Sequence, residues 1–372
     1  MDIWHLKLGF QYPIKHSLAT HTDSENLVVK VTTDRGDAGY GEGIPRGFVT
    51  GEMLPESLNF LKKELAPAAF LQDFASARTF LADLESLEKD PAESFPAAVC
   101  AMETALLDAA GRTWGRSVSD LLGFRAKDSV VYSAVLPMAG EAQLARFLQL
   151  VKLQRMAFLK VKVGRDDDLQ VLKMARDIMG WDIDLRVDAN SAWTAQEAVA
   201  HIQEMAPYRL SAVEQPVAKE DFEGLREVSQ AVDLPIIADE SLCTRADAQR
   251  LIDLKACRIF NIRLSKCGGL RRAGLIRQMA EEAGVRCQLG CHVGETSILS
   301  AAGRHFALGN GDLVYVEGSL SPYLLSKDPV ARPIGFGVGG RAHGLNGPGL
   351  GVEVLEPVLD ELALSRFSLA AP

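Results

Sequence analysis

The feature that most constrains the fold of this chain is a repeat of short apolar segments that end in charged residues. Five such segments end at Lys162, Asp188, Glu214, Asp239 and Lys266, which stand 26, 26, 25 and 27 residues apart. A near-constant step of this size is what one strand, one helix and two short loops require. The spacing therefore predicts consecutive β/α units in this part of the chain.

The same step predicts further strands on both sides of this region. Forward steps reach His292 and Glu317, and a backward step reaches Leu136. Each of these residues lies near the end of an apolar segment, and the segment before Leu136 spans residues 129–135. Eight parallel strands with intervening helices predict an α/β fold, a closed (β/α)8 barrel. In such a barrel the carboxyl ends of the strands carry the chemistry. We therefore expect the charged residues to converge on one pocket.

The remainder of the chain does not follow the 26-residue step. Residues 1–125 predict an α+β capping domain, residues 126–320 the catalytic barrel, and residues 321–372 a C-terminal segment that returns to complete the cap. Within the cap, apolar patterns and turn signals predict strands at 2–11, 26–33 and 38–43 and helices at 55–65, 74–87 and 96–114.

Two polar segments of the cap, residues 12–25 and 44–51, are predicted to be loops. They contain four basic or imidazole side chains, namely Lys15, His16, His21 and Arg46. Such loops are either solvated or used to bind a polar group of a substrate.

Composition excludes several classes of protein. A net charge of −9 argues against nucleic acid or an anionic membrane as the main partner. The sequence has neither the start of a signal peptide nor an apolar run long enough for a membrane span. Its six cysteines are scattered without a Cys-x-x-Cys pair, which is typical of reduced thiols. We therefore expect a cytoplasmic protein with a small-molecule substrate.

Asp188, Glu214 and Asp239 are the candidate metal ligands. Three carboxylates gathered in one pocket repel each other strongly unless a cation lies among them. An oxygen-only set that leaves positions open for water or substrate suits Mg²⁺. The alternative is that these carboxylates form unrelated salt bridges at the strand ends.

Three lysines flank the carboxylates in strand order. Lys160 and Lys162 alternate along one strand and point the same way, and Lys266 stands on the other side. A lysine near a divalent cation has a depressed pKa and would serve as a base. Together these groups predict removal of the proton α to a substrate carboxylate, with an enediolate stabilised by the metal. The alternative is that the lysines are only counter-ions.

The motifs around these residues resemble the enolase superfamily, and within it the muconate lactonizing enzyme subgroup of the mandelate racemase/muconate lactonizing enzyme family. The matching segments are Lys160-Val161-Lys162, Asp188-Ala189-Asn190, Glu214-Gln215-Pro216, Asp239-Glu240-Ser241 and Lys266-Cys267-Gly268-Gly269.

The resemblance implies a role for each matching residue. Asp188, Glu214 and Asp239 would bind Mg²⁺, with Mn²⁺ as an alternative. Lys162 and Lys266 would be acid and base on opposite faces of the substrate. The auxiliary or substrate-binding residues would be Lys160, Asn190, Glu240, His292, Glu295 and Glu317. The cap segments would close over the barrel mouth, and a symmetric homo-oligomer is expected.

Two positions depart from the subgroup. His292 stands where an apolar residue is more usual and is similar to the histidine base of mandelate racemases. It is interpreted as a substrate contact or auxiliary acid, or as a packed histidine. Glu317-Gly318-Ser319 lacks the Asp-x-Asp pair of dipeptide epimerases, which argues against a dipeptide substrate.

The leading hypothesis is a muconate cycloisomerase-like enzyme. The alternatives are a racemase or epimerase of N-acylamino acids or dipeptides, an acid-sugar dehydratase, and a non-catalytic carboxylate-binding barrel. Two lysines on opposite faces fit epimerisation directly, because one removes a proton and the other returns it.

Overall fold

The computed structural model describes residues 1–16, 19–72, 76–85, 92–124 and 127–371. In chain order the strands are β1 (Asp2–His16), β2 (Ala19–Thr32), β3 (Ala38–Gly43), β4 (Ser129–Val131), β5 (Ala134–Leu136), β6 (Phe158–Lys162), β7 (Asp184–Asp188), β8 (Val213–Glu214), β9 (Ile236–Ala238), β10 (Ile259–Ile262), β11 (Arg286–Leu289), β12 (Arg341–His343) and β13 (Ala363–Ser368).

The α-helices are α1 (Gly47–Thr50), α2 (Leu54–Phe60), α3 (Ala66–Phe70), α4 (Ala77–Leu84), α5 (Pro96–Trp114), α6 (Val118–Leu121), α7 (Glu141–Leu153), α8 (Asp168–Met179), α9 (Ala195–Met205), α10 (Phe222–Ala231), α11 (Arg245–Leu254), α12 (Leu264–Cys267), α13 (Leu270–Glu282), α14 (Ser297–Gly309), α15 (Ser321–Leu324) and α16 (Glu356–Leu362). Short 3₁₀ turns cover Ala92–Ser94, Ala206–Tyr208 and Val338–Gly340. Within the described ranges, no helix is both long enough and apolar enough to span a bilayer.

The cap is built on an antiparallel sheet with the strand order β13-β1-β2-β3. Asp2 on the central strand β1 pairs with Ser368 of β13 on one side and with Lys30 of β2 on the other. The last strand of the chain therefore completes the sheet that the first strand begins.

Helix α5 packs directly on β3 because glycines of the strand leave room for its backbone. A Cβ on Gly41 would lie 2.0 Å from the carbonyl oxygen of Ala101, and one on Gly43 would lie 1.9 Å from that of Ala97. Alanines on this face of α5 keep the approach short, so the sequence of β3 determines where the helix docks.

Seven parallel strands form the barrel wall in the order β11-β10-β9-β8-β7-β6-β5, and helices connect successive strands. Most apolar side chains in these strands are buried, and Val161 and Val187 are at most 1% exposed. Burial on both faces is typical of parallel strands covered by helices. The predicted (β/α)8 barrel with an α+β cap is confirmed.

The predicted eighth strand is an extended segment rather than a regular strand. Val314 N donates to Cys287 O at 2.9 Å and Glu317 N donates to Leu289 O at 2.8 Å, which joins the segment to β11. On its other side Ser133 N donates to Val316 O at 2.8 Å, just before β5. These bonds close the barrel over a short stretch of chain.

The predicted first barrel strand, 129–135, is divided into two. β4 pairs antiparallel with β12 of the returning C-terminal segment, and only β5 joins the barrel wall. The N–H of Tyr132 donates to Gly340 O at 2.8 Å, so the intervening backbone is already paired outside the barrel.

The predicted loop at 12–25 is wrong as a secondary-structure assignment. β1 and β2 continue as a hairpin through Ile14 opposite His21, beyond an irregularity in register that follows Gly9. Pairing between the strands satisfies part of the backbone at 14–16 and 19–25, which the polar composition did not indicate. Segment 44–51 is a loop that contains the single-turn helix α1.

Two predicted cap helices have different bounds in the structure. The helix predicted at 55–65 is α2 followed by a π-helical turn, Leu61–Leu65, and then α3. Pro67 explains the wider turn, because its ring lacks an N–H and crowds the carbonyl four residues earlier. The helix predicted at 74–87 is α4, which begins after the capping side chain of Ser76, and its predicted ends extend outside the described residues.

Candidate active site

The candidate metal ligands stand side by side because β7, β8 and β9 are neighbours in the sheet. Asp188 pairs with Glu214 across β7 and β8, and Glu214 pairs with Ile237 of β9. Asp239 follows the last residue of β9. All three carboxylates are at most 1% exposed. The 26-residue step therefore brought three buried charges to one end of the barrel, as predicted.

Each of these carboxylates is paired with basic side chains. Asp188 Oδ2 lies 3.3 Å from Lys162 Nζ and 3.4 Å from Lys160 Nζ. Glu214 Oε1 accepts a hydrogen bond from Lys160 Nζ at 3.1 Å. Burial by itself would raise the pKa of Asp188, but the charges of Lys162 and Lys160 outweigh it and hold that pKa well below its usual value.

Asp239 is held from the other side of the site. Its Oδ1 accepts from Lys266 Nζ at 2.9 Å, and its Oδ2 accepts from Arg263 Nη2. Arg263 follows β10 directly and was not identified from the sequence. Both basic side chains that pair with Asp239 therefore follow the same strand, β10.

The carboxylate oxygens of Asp188, Glu214 and Asp239 are a donor set that suits Mg²⁺, although in this structure they pair with lysine and arginine side chains. Among the described residues, no three His, Cys, Asp or Glu side chains stand in metal-ligating geometry. The donors are all carboxylate oxygens, the set that a hard divalent cation prefers. Beside them, half-buried Glu240 has a buried Oε2 without a hydrogen-bond partner in the described ranges, while its Oε1 accepts from Asn190 Nδ2 at 3.2 Å. An unsatisfied buried carboxylate oxygen of this kind is the observation that fits a cation at this position.

Lys162 and Lys266 lie on opposite sides of the carboxylates. Lys162 ends β6 and donates to Asn190 Oδ1 at 2.5 Å. Lys266 is fully buried and donates to Asp239 O at 2.5 Å and to Asn261 O at 2.9 Å. Burial lowers the pKa of Lys266, which increases the fraction of its neutral amine at a given pH.

Lys266 reaches the site differently from the prediction. Strand β10 ends at Ile262, and Lys266 lies on the single helical turn α12 that follows. Gly268, with a φ of 84°, ends this turn in the left-handed region that glycine favours. The lysine therefore points back to the strand ends from a turn and not from the strand itself.

Lys160 is more deeply buried than Lys162 on the same strand. It is 3% exposed, and Glu317 Oε2 accepts from its Nζ at 2.9 Å. Burial would lower the pKa of Lys160, but Glu214 and Glu317 outweigh it and raise that pKa. Lys160 therefore stays protonated at the bottom of the site and does not accept a proton.

A cavity of about 340 Å³ opens at this end of the barrel. Its walls include Lys160, Lys162, Asp188 and Glu240 from the barrel, and also His292. This volume is within the range of about 300–1,000 Å³ typical of small-molecule sites.

Cap residues cover one side of the cavity. The segment 44–51 contributes Arg46, Phe48 and Val49, and Phe10 comes from β1. The side chains of Lys15, His16 and His21, which the sequence suggested as substrate contacts, lie outside the described part of the structure.

The remaining predicted residues occupy separate positions. His292 is 4% exposed and lines the cavity. Glu295 accepts from the peptide N–H of His292 at 2.7 Å, and burial raises the pKa of Glu295 to about 8. Glu317 bonds to Lys160 and, at 2.5 Å, to Arg186 Nη2. Its two oxygens are therefore already occupied by cations.

Sequence reasoning missed several polar residues that hold the carboxylates. Asn261 and Gln288 donate to the two oxygens of Glu214 at 2.9 Å each. Arg186 pairs with Glu317. These residues lie on the inward face of their strands, and Arg186 is two positions before Asp188. That two-residue alternation of polar residues within buried strands was the signal available.

Comparison with known proteins agrees with this geometry. Residues 143–358 match the enolase C-terminal domain-like family, and residues 3–123 match the mandelate racemase/muconate lactonizing enzyme N-terminal domain. The chain is 35% identical over 308 residues to a hydrophobic dipeptide epimerase of Enterococcus faecalis, covering 81% of this chain and 84% of the relative.

Two other relatives extend along nearly the whole chain. An N-succinyl-L-Arg/Lys racemase of Bacillus cereus is 28% identical over 98% of this chain and 97% of its own, and its crystal structure matches with a TM-score of 0.90 over 99% and 98% of the two chains. Muconate cycloisomerase 1 of Rhodococcus opacus is 29% identical over 92% of both chains.

A solved structure of the Enterococcus faecalis dipeptide epimerase contains Mg and the dipeptide L-Leu-L-Tyr. It matches this chain at 30% identity with a TM-score of 0.82, over 95% of this chain and all of that one. The chain therefore belongs to the mandelate racemase/muconate lactonizing enzyme family of the enolase superfamily, whose members among these relatives are metal-dependent isomerases.

Proposed function

We propose that this protein is a Mg²⁺-dependent racemase or epimerase that acts at the α-carbon of an acylated amino acid or a dipeptide. The observation that carries the proposal is the position of its two lysines. Strands β7, β8 and β9, which carry the carboxylates, lie between β6 with Lys162 and β10, which precedes Lys266. A substrate carboxylate held among the carboxylate-bearing strands would have one lysine on each face of its α-carbon.

Asp188, Glu214 and Asp239 would hold the metal ion. When bound, Mg²⁺ would supply positive charge that stabilises the negative charge accumulating on the substrate carboxylate oxygens as the α-proton leaves. The oxygen-only donor set, the unpartnered Glu240 oxygen and the Mg in a related epimerase structure support this assignment. Lys160, which stays protonated, would attract the same substrate carboxylate from below.

The lysines would exchange the α-proton between them. Neutral Lys266 takes the proton from one face of the α-carbon, and protonated Lys162 returns a proton to the other face, which inverts the configuration. The opposite enantiomer reacts with the two roles reversed. The pKa of Lys266, lowered by burial, favours its neutral form in the first step.

The nitrogen substituent is best assigned as an acyl group. Both oxygens of Glu317 are engaged by Lys160 and Arg186, so this position offers no free carboxylate to a substrate ammonium. The similarity to an N-succinyl amino acid racemase over almost the whole chain supports an N-acylated amino acid.

Proton exchange in D₂O tests the proposal. N-succinyl derivatives of both enantiomers of arginine, methionine and phenylalanine are incubated with protein and Mg²⁺, and loss of the α-proton is followed by NMR. We expect Lys162→Ala and Lys266→Ala each to lower the racemisation rate by at least about 10²-fold. One variant should lose α-proton exchange of the L enantiomer and the other should lose exchange of the D enantiomer.

The matched control is Lys173→Ala, because Lys173 is an exposed lysine paired with Asp177 on α8. It should leave the exchange rate unchanged. Exchange of both enantiomers that persists in Lys162→Ala and Lys266→Ala would refute the two-lysine assignment.

Cycloisomerisation is the second candidate, because muconate cycloisomerase 1 matches over 92% of the chain. It requires only one of the two lysines to exchange a proton. Conversion of cis,cis-muconate to a lactone, together with no exchange of any acylated amino acid, would replace the racemase proposal with this one.

A further inference from the structure

The loop that follows β11, residues 290–296, is fixed to the cap by buried polar contacts. Fully buried Asn26 donates to Gly294 O at 2.9 Å. Glu42, also fully buried, accepts from Thr296 Oγ1 at 2.6 Å. Gly294 has a φ of 96°, and a Cβ there would lie 2.4 Å from Ser24 Cβ. The backbone of this loop therefore has one defined position against the cap.

His292 is the polar side chain of this loop that is not used to hold it. Its peptide N–H donates to Glu295, but neither ring nitrogen has a hydrogen-bond partner among the described residues. The ring is 4% exposed and forms part of the cavity wall. Leaving two buried polar atoms unpaired is costly, so a group that enters the cavity would gain by bonding to them.

Arg46 lies next to this imidazole on the cap side of the cavity. Its Nη2 donates to Val293 O, beside His292, at 3.1 Å and to Ser24 Oγ at 2.7 Å. Both partners are neutral. In the part of the chain that the structure describes, no carboxylate lies within ion-pairing distance of Arg46, and Asp23 and Glu25 act on its charge only from farther away.

The surroundings of His292 determine which group it would bind. Burial lowers the pKa of His292 well below its ordinary value, and the positive charge of Arg263 and Arg46 adds to this effect. The neutral ring has one N–H donor. A donor beside a guanidinium that has no ion pair matches an anionic oxygen better than a cation or an apolar group.

We propose that His292 and Arg46 form a subsite for a carboxylate at the far end of the substrate's N-acyl group. The inference rests on the proposed racemase function and extends it to substrate class: the mono-amide of a dicarboxylic acid with an amino acid. His292 donates one hydrogen bond to the distal carboxylate, and Arg46 supplies its counter-charge. The two residues determine specificity and take no part in moving the α-proton.

Three acyl groups of equal length test this subsite. N-succinyl, N-succinamoyl and N-butanoyl derivatives of L-arginine, L-methionine and L-phenylalanine differ only in whether the acyl chain ends in a carboxylate, a neutral amide or a methyl group. We expect wild-type kcat/KM for α-proton exchange to fall at least tenfold from succinyl to succinamoyl, and again from succinamoyl to butanoyl.

Two substitutions separate the contributions of charge and hydrogen bonding. Arg46→Met should raise KM for the succinyl probe at least tenfold with kcat within threefold, and should remove the preference over succinamoyl. His292→Phe should remove the preference of succinamoyl over butanoyl, while His292→Gln, which keeps a donor, should retain most of it. Arg35→Met, at an exposed turn of the cap, is the control for loss of an arginine.

The outcomes distinguish failure of the subsite from failure of the function. Exchange of all three probes at similar kcat/KM, or an equal loss for all three in both variants, would overturn the subsite and leave the racemase proposal standing. No exchange with any probe in the presence of Mg²⁺ would overturn both. A change in kcat without a change in KM for His292→Phe would assign His292 to the chemical step and overturn its role in specificity.

Discussion

Neutralising Glu317 should destabilise the protein strongly, because this carboxylate is the partner of a buried arginine. Arg186 is fully buried, and its Nε and Nη1 have no partner among the described residues. Its Nη2 bonds to Glu317 Oε1 at 2.5 Å, and its guanidinium carbon lies 4.2 Å from the ring centroid of Tyr315. In the described ranges, Glu317 is the carboxylate that balances this charge.

Glu317→Gln keeps the shape of the side chain and removes its charge. Removing one partner of a buried ion pair costs about 3–5 kcal/mol, because the other charge is left buried and unbalanced. Lys160 adds little to this cost since it keeps Glu214 and Asp188. With an unfolding entropy of about 2.1 cal/mol/K per residue over 372 residues, the expected decrease in Tm is about 4–6 °C.

Urea denaturation and thermal melting of wild type and variant measure this effect. The effect should also depend on pH. Burial would raise the pKa of Glu317, but Lys160 and Arg186 outweigh it and lower that pKa. The stabilisation is therefore complete above the ordinary carboxyl pKa and is lost as pH falls through the lower folded-state value.

The double variant Arg186→Met/Glu317→Gln removes both charges and should recover most of the lost stability. Glu281→Gln, in an exposed pair with Arg277, is the surface control and should change stability by less than about 0.5 kcal/mol. A cost below about 1 kcal/mol for Glu317→Gln, or no recovery in the double variant, would refute the reasoning.

Three further predictions concern other parts of the molecule. In thermal melting, Mg²⁺ at 100 times its Kd should stabilise the wild type by about 2.7 kcal/mol relative to the same protein in EDTA. Asp239→Asn should reduce this gain. A wild-type Tm that does not change with Mg²⁺ would contradict metal binding. Glu52 accepts from Ala97 N at 3.0 Å and Ala98 N at 3.1 Å at the start of α5, so Glu52→Ala should cost about 2 kcal/mol in urea denaturation, and a cost near zero would contradict this capping role. Because the pKa of Glu295 is raised to about 8, its contribution to stability is complete below the ordinary carboxyl pKa and is lost as pH rises through 8. Over this pH interval Glu295→Gln should therefore lose less unfolding free energy than the wild type. Parallel profiles of unfolding free energy against pH would count against a buried, titrating Glu295.

The barrel and the positions of its charged residues were predictable from the sequence for a specific reason. Each β/α unit uses a similar number of residues, so residues one step apart fall at equivalent strand ends. This placed Asp188, Glu214 and Lys162 correctly. Asp239 lies one residue beyond β9, and Lys266 lies on a turn beyond β10, because short strands end before the period does.

The edges of the elements were less predictable because long-range pairing determines them. Residues 12–16 and 19–25, which were predicted to belong to a loop, lie on two long strands that pair with each other. The segment 129–135 is divided because Gly340, more than 200 residues away, accepts the N–H of Tyr132. Local composition contains no information about either partner.

The sequence by itself determined the fold class, the family and the set of carboxylates and lysines, because these follow from a period and from residue types. The tertiary structure alone decided how those charges are balanced. It paired Glu317 with Arg186, brought Arg263 to Asp239, and left the ring of His292 without a partner beside Arg46 in the described structure. These residues come from different strands and loops of the barrel and, for Arg46, from the cap, so only tertiary packing sets the distances between them.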